Sequence, residues 1–160
     1  MLARSTEKFI LRQLDRERVL TIATARPDGF PQATVVTFAH DGLTLFIAVD
    51  GNSQKARNIR RNGKVSLALG RYRRDWDTIT GLSMAGQARI LRKADEISWA
   101  KERLTARHPQ MKELGEDDGY AGWAFIEVVP LVVSLLDYRK GFGHTELIEL
   151  WPRTAASRTR

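Results

Sequence analysis

The stretch LTLFIAVDGNSQKARNIRRNGKVSLAL, residues Leu43–Leu69, decides the fold of this chain of 160 residues. It opens with the apolar, β-branched run Leu43–Val49, which predicts a strand. Ser53 then stands where a helix N-cap belongs, and a short polar helix follows it. We expect Gly63 to end this helix in the left-handed conformation, just before a second predicted strand, Lys64–Leu69. The pattern is therefore strand, short helix, strand.

The residues before this stretch predict a hairpin and a helix. Val19–Ala25 and Gln32–Phe38 are β-branched runs separated by a turn that contains Pro and Asp-Gly. Asp41-Gly42 is a second tight turn, so three antiparallel strands follow one another closely. Ahead of them, Ser5–Glu17 has the 3.6-residue apolar period of an amphipathic helix.

The residues after the stretch continue the β pattern. We expect one or two strands over Thr78–Leu91, with Gly81 and Gly86 at bulges or bends, and a helix over Ala94–Arg107. Two further strands, Trp123–Val129 and Val132–Tyr138, are predicted on either side of Pro130. The chain is thus mainly β with peripheral helices, and its six to seven antiparallel strands predict a closed or partly closed barrel. We expect one domain over residues 1–151 and a basic, disordered tail over residues 152–160.

Composition removes several classes of function. The chain has no Cys, which excludes disulfides, thiolate zinc sites, iron–sulfur clusters and cysteine nucleophiles. The three histidines, His40, His108 and His144, lack metal-ligand spacing, so no metal site is expected. No apolar run approaches the roughly 20 residues that cross a bilayer, and the N-terminal residues lack the pattern of a signal peptide. We expect a cytoplasmic protein.

The positive charge is concentrated in one segment. The whole chain has 26 Lys and Arg against 19 Asp and Glu, and the segment Gly51–Arg74 contains eight basic residues and no acid. Ser53, Lys55 and Arg57 fall at the predicted helix start, where backbone N–H groups and the helix dipole favour an anion. This arrangement suits a phosphate group. A simple cap on a solvated basic helix would have the same residues.

Taken together, VLTIATARPDGFPQATVVTF and DGLTLFIAVDGNSQKARNIRRNGKVSLAL resemble the pyridoxamine 5'-phosphate oxidase-like, FMN-binding split-barrel family, over roughly residues 17–92. The resemblance implies a split β-barrel and an FMN-dependent oxidoreductase that works as a homodimer, with the flavin between the subunits. The substrate would be a small molecule and the electron donor NADH or NADPH. No membrane partner is expected.

The resemblance also assigns cofactor contacts. It places the residues along one strand beside the flavin, the end of the next strand close by, and the helix start on the phosphate: Thr34, Val35, Val36, Thr37, Ile47, Ala48, Ser53 and Lys55. Gln54 stands where the family has Arg, so one phosphate charge is missing unless Arg57 or a partner's Arg supplies it. Trp76, in a polar loop, is a candidate to stack on a ring or on a partner chain.

The C-terminal region departs from the true pyridoxamine 5'-phosphate oxidases. Their Arg-Leu-His-Asp-Arg stretch for the substrate phosphate is missing, which argues against vitamin B6 oxidation. Instead the chain has Arg139-Lys140-Gly141-Phe142-Gly143-His144. We interpret Gly141–His144 as a lid or an exposed strand exit, with His144 and Arg139 as candidate substrate contacts and no catalytic residue identified.

Three alternatives remain open at this stage. Haem or deazaflavin could occupy the same groove in a split barrel, and the Gly-Phe-Gly-His segment gives haem some support. A nucleic-acid-binding barrel would use the basic segment for phosphates and Tyr72 and Trp76 for base stacking, but it leaves the Ser-x-Lys spacing unexplained.

Overall fold

The computed structural model describes residues 2–71, 74–114 and 120–150, so Tyr72 and the predicted tail lie outside the described residues. The helices are α1 (Arg4–Arg16), α2 (Gln54–Arg61), α3 (Ala94–Arg107) and α4 (Met111–Leu114). The strands are β1 (Val19–Ala25), β2 (Pro31–Thr37), β3 (Ala39–Asp41), β4 (Thr44–Asp50), β5 (Lys64–Arg71), β6 (Thr80–Ile90), β7 (Trp123–Asp137) and β8 (Thr145–Glu149). Single 3₁₀ turns occupy Trp76–Thr78 and Tyr138–Lys140.

All eight strands form one antiparallel sheet in the order β2-β1-β5-β6-β7-β4-β3, with β8 added beside β7. The sheet curls until β2 lies near β4, which gives the predicted split barrel. The predicted β1–β2 hairpin is confirmed, with Ala25 opposite Pro31. Two short strands, β3 and β8, were not predicted. Strand β8 directly follows Gly141–His144, the segment interpreted as a lid or strand exit.

The prediction of two strands around Pro130 is wrong, because β7 is continuous from Trp123 to Asp137. Its first half pairs with β4 up to Val128, and its second half pairs with β8 from Val132 onward. Pro130 therefore falls where this edge changes partner, so its missing N–H removes no bond to β4 or β8. On the other edge the register with β6 shifts between Ala85 and Gly86, which confirms the predicted bend at Gly86.

Gly63 is a glycine for a different reason from the one predicted. Gly63 is not among the residues with a positive φ, and Asn62, which follows the last residue of α2, is in an extended conformation. A Cβ at position 63 would lie 2.3 Å from the carbonyl oxygen of Ala88, which is too close for two atoms that are not bonded. The glycine is needed because the chain passes this close to β6.

Two apolar clusters hold the sheet and helices together. The larger one fills the barrel with residues from the inner face of the sheet and from α1: Ile10, Leu14, Leu20, Ile22, Ile47, Leu67, Met84, Ile126, Val128 and Val133. The second packs α3 and α4 against the opposite side of β4 and β7, through Phe46, Leu91, Ala100, Leu104, Met111 and Phe125. The alternation of Leu45, Phe46 and Ile47 between the clusters follows from the two-residue period of a strand.

The C-terminal end of α1 is tied to α3 by a guanidinium group. Arg107 donates hydrogen bonds to the carbonyl oxygens of Leu14, Asp15 and Glu17. Burial lowers the pKa of Arg107. Because the last carbonyls of a helix have no partner within it, Arg107 satisfies groups that would otherwise be left unpaired.

We expect Arg107→Met to lower the free energy of unfolding by about 1–3 kcal/mol, because three carbonyl groups lose a charged donor. Urea unfolding followed by circular dichroism measures the difference. Arg92→Met, which removes the same charge from an exposed position, serves as the control. Equal stabilities for the two variants would contradict this role for Arg107.

The end of β7 is closed by an acidic residue. The carboxylate of the buried residue Asp137 accepts hydrogen bonds from both the backbone N–H and the guanidinium of Arg139, the latter at 2.7 Å for each oxygen. The hydrogen bonds from Arg139 hold the pKa of Asp137 below its ordinary value of 3.8. A lowered pKa in the folded state means that the ionised carboxylate stabilises the fold.

Asp137→Asn should therefore reduce stability most at neutral pH. The stabilisation is fully present above the pKa of the unfolded carboxyl, near 3.8, and is lost as the pH falls through the lower pKa of the folded state. Unfolding free energies of both proteins measured from pH 7 down to acid pH should converge. A difference that stays constant over this range would refute the assignment.

Candidate functional site

The turn between β4 and α2 is fixed by backbone hydrogen bonds. The N–H of Asn52 donates to Asp50 Oδ1 (2.7 Å), and the N–H of Ser53 donates to the Asp50 carbonyl (3.0 Å). Ser53 Oγ accepts from the N–H of Ala56 at 3.4 Å, which confirms the predicted cap. Ala56 is fully buried, so the start of α2 is held rigidly at the end of β4.

Positive charge on α2 is not neutralised by neighbouring acids. The helix has no acidic residue in its first turn, and within the described ranges its four cations form no ion pair. Arg60 and Arg61 donate to the carbonyls of Gly51 (2.7 Å) and Ala25 (3.3 Å). Lys55 forms no hydrogen bond to any described residue. The helix dipole is positive at the N-terminal end of α2. The basic start of α2 (Ser53–Arg57) therefore favours an anion.

A chain of neutral polar side chains connects α2 to the first hairpin. Gln54 Nε2 donates to Asn58 Oδ1 (2.8 Å), and Asn58 Nδ2 donates to Thr24 Oγ1 (2.9 Å) and to Gln32 Oε1 (3.3 Å). Asn58 is 1% exposed. Sequence reasoning missed Asn58, although an amide beside the apolar Ile59 on a short helix was a usable signal. The network fixes the helix start relative to β1 and β2.

The strand residues assigned to the flavin fall into two groups. The side chains of Val36 and Ile47 lie in the barrel core, so only their backbones are available to a ligand. Val35 is 67% exposed, and Thr37 is exposed as well. Ala48 is half-buried on β4.

Thr34, on the same strand, has an unsatisfied hydroxyl group. Its Oγ1 is buried without a hydrogen-bond partner among the described residues. Thr34 lies opposite the core residue Ile22, so this hydroxyl faces the barrel interior and costs roughly 1–3 kcal/mol.

Trp76, Arg139 and His144 lie far from the basic start of α2. Lys64, just after α2, and Arg71, opposite Thr80, are the two ends of β5. They are seven residue steps apart along the strand, about 23 Å. Because Thr80 also lies opposite Asp137, Trp76 and Arg139 belong to the far end of the sheet. A single chain therefore does not bring these candidates together with Ser53 and Lys55.

At this far end the aromatic side chains stack on one another. The rings of Trp76 and Phe142 are 5.5 Å apart and nearly parallel, and Tyr138 lies 5.3 Å from Phe142. Trp76 and Phe142 remain 60% and 77% exposed. Together they form an exposed aromatic cluster (Trp76, Tyr138 and Phe142).

Acidic partners engage the charged candidates at this end. Arg139 is held by Asp137, and His144 Nε2 lies 3.0 Å from Glu146 Oε1. Lys140 contacts the same oxygen at 2.6 Å, and Lys140 and then His144 lower the pKa of Glu146. Unlike Lys55, these side chains already have carboxylates beside them.

The sheet face that points away from the barrel core is built from small side chains. This outer face comprises Thr21, Ala23, Ala33, Val35, Ser66, Ala68, Ser83, Ala85, Val132, Ser134 and Leu147. Two open cavities of about 600 and 410 Å³ lie on it. Val35 and Leu147 are 67% and 72% exposed. A broad apolar surface of this kind is typical of an interface.

Membrane-spanning helices and metal-binding clusters are both absent from the described ranges. None of the helices there combines the length and hydropathy needed to span a bilayer. No group of three or more His, Asp or Glu side chains among these residues is arranged to hold a metal ion.

Comparison with known proteins adds the family. General stress protein 26 of Bacillus subtilis is 27% identical over 128 residues, covering 80% of this chain and 86% of that protein. A haem-binding protein from Mycobacterium smegmatis superimposes with a TM-score of 0.75 at 20% identity; the match covers 92% of this chain but 60% of that one. An FAD-binding protein from Mesorhizobium loti gives a TM-score of 0.67 at 17% identity, over 84% of this chain and 94% of that one. These two structures share the fold alone.

A match to a sequence profile establishes the family of this chain. The profile described as pyridoxamine 5'-phosphate oxidase matches residues 6–124, which include the first hairpin, the basic start of α2 and most of the sheet. The chain belongs to the pyridoxamine 5'-phosphate oxidase family.

Proposed function

We propose that this protein is an FMN-dependent oxidoreductase that acts on a small molecule and binds its flavin between two copies of the chain. The observation that carries the proposal is the uncompensated positive charge at the start of α2, in a chain of this family. A phosphate there would neutralise the charge of Lys55, accept hydrogen bonds from backbone N–H groups and interact favourably with the helix dipole.

The residues fit a flavin phosphate and the adjoining ring. Ser53 and Lys55 would hold the phosphate, while the backbone of β2 at Thr34, whose side chain faces the barrel interior opposite Ile22, would run beside the ring. Val35 offers an exposed apolar side chain on the same strand. Bound FMN would supply the electron transfer, so the chain need only bind, orient and shield the reacting groups.

A second copy of the chain would complete the site. The aromatic cluster and the basic start of α2 lie at opposite ends of the sheet, so one subunit does not supply both walls of a flavin site. Two outer faces packed about a two-fold axis would place the aromatic end of one copy near the α2 end of the other. Members of the family are commonly dimeric.

The charges at the far end argue against a phosphorylated substrate there. Arg139 and Lys140 are already paired with Asp137 and Glu146. His144 and Arg139 therefore stay candidate substrate contacts that would have to exchange one partner for another. NADH and NADPH are the candidate electron donors.

The first test is the absorbance spectrum of the purified protein before and after addition of FMN. We expect flavin bands that are bleached by dithionite and by NADH or NADPH. The double variant S53A/K55A should bind FMN at least about tenfold more weakly while remaining folded, because hydrogen bonds to the charged phosphate are lost.

Lys112→Ala, at an exposed position on α4, is the control and should leave FMN binding unchanged. A protein that ignores FMN would overturn the proposal, and a Soret band on addition of haem would assign the groove to haem instead. Full flavin occupancy in S53A/K55A would refute the phosphate contacts.

Association between copies has its own test. Ala68→Arg should convert a dimer into a monomer, because it places a charge in the centre of the outer face, where Ala68 lies opposite Thr21 and Ser83. Ala106→Arg, at an exposed position on α3, is the matched control. Sedimentation velocity measures the mass of each protein. A wild-type monomer that binds FMN would contradict the shared site.

A further inference from the structure

We propose that Arg57 is a second phosphate-binding cation at the basic start of α2 and that Gln54 is the residue that positions it. The inference rests on the proposed FMN site and names how this chain makes up for the missing Arg at position 54.

The Arg57 side chain folds back toward the beginning of its helix. Arg57 Nη1 donates to the carbonyl oxygen of Asn52 at 2.5 Å, and Arg57 Nη2 donates to Gln54 Oε1 at 3.0 Å. Side chains of a helix point toward its N-terminal end, so this direction is the natural one. The guanidinium consequently lies against the turn that precedes α2, bonded to the residue just before Ser53.

The dipole of α2 does not favour a cation at this position. A positive side chain at the positive end of a helix dipole is repelled by it, and in the described part of the chain Arg57 has no carboxylate partner. Its two contacts are neutral oxygens. An anion placed at the start of α2 would turn this repulsion into attraction for Arg57 and Lys55 together.

Gln54 is suited to holding a cation without neutralising it. A Glu at position 54 would bind the guanidinium more strongly but would cancel its charge and repel a phosphate. The amide oxygen of Gln54 orients Arg57 and leaves the full charge available. A guanidinium has five N–H groups, and the two contacts use two of them, so three N–H groups remain for phosphate oxygens.

Gln54 is itself fixed from the other side. Its Nε2 donates to Asn58, which is buried and bonded to Thr24 and Gln32. The amide plane of Gln54 is therefore set by the barrel, and its oxygen is directed at Arg57. Arg61, one turn further along α2, instead donates to the Ala25 carbonyl and has no link to Gln54.

The experiment compares FMN with riboflavin, which has the same ring system and no phosphate. Dissociation constants of both are measured by quenching of flavin fluorescence, and their ratio isolates the contribution of the phosphate. Wild type should bind FMN more tightly. Arg57→Ala should reduce the ratio about tenfold or more, the change expected when a charged hydrogen bond is lost.

Three further variants separate positioning from general effects. Gln54→Leu should reduce the ratio with little effect on riboflavin, and Gln54→Glu should reduce it further by repelling the phosphate. Arg61→Ala removes the same charge from the same helix and should leave the ratio unchanged. A double variant R57A/Q54L should be no worse than R57A alone, because Gln54 acts through Arg57.

The outcomes distinguish the two proposals. If wild type binds FMN and riboflavin equally, or binds neither, the proposed flavin phosphate site is wrong. If wild type prefers FMN but Arg57→Ala or Gln54→Leu keeps that preference, the site stands and this inference is overturned. Equal losses in Arg57→Ala and Arg61→Ala would also overturn it, since they would indicate only a general effect of charge.

Discussion

The pairing of β7 along both of its edges is the constraint on which the rest of the structure depends. One edge is bonded to β6 from Ile126 to Asp137, and the other is shared between β4 and β8. Because β4 leads directly into α2, the position of the basic helix start is set by where β4 pairs with β7. The aromatic cluster follows the other end of the same strand. The length of β7 thus keeps the two candidate functional regions apart within one chain.

Local sequence signals predicted much of this arrangement. The β1–β2 hairpin follows from its turn residues, and the Ser53 cap follows from a Ser before a polar helix. Local rules failed where partners distant in sequence decide the result. Pro130 looked like a strand break, yet it falls at the change of partner from β4 to β8. Strand β8 was missed because five residues after a Gly-rich segment become a strand only beside β7.

The candidate site divides in the same way. Ser53, Lys55 and Arg57 were predictable because adjacent residues on one helix turn stay together in any fold. Asn58 was not predictable, because its partners Thr24 and Gln32 lie on the distant strands β1 and β2. The contact between Trp76 and Phe142 was equally out of reach, because it joins the loop after β5 to the turn after β7.

The two ends of the sheet are built from different kinds of polar contact. The links from Arg57 through Gln54 and Asn58 to Thr24 are amides and a hydroxyl, none of which gains or loses a proton between pH 4 and 9. The far end relies on carboxylates, with Asp137 bound by Arg139 and Glu146 bound by Lys140 and His144. Acidification would therefore act on the contacts at the aromatic end, whereas the link from α2 to the first hairpin contains no group that takes up a proton.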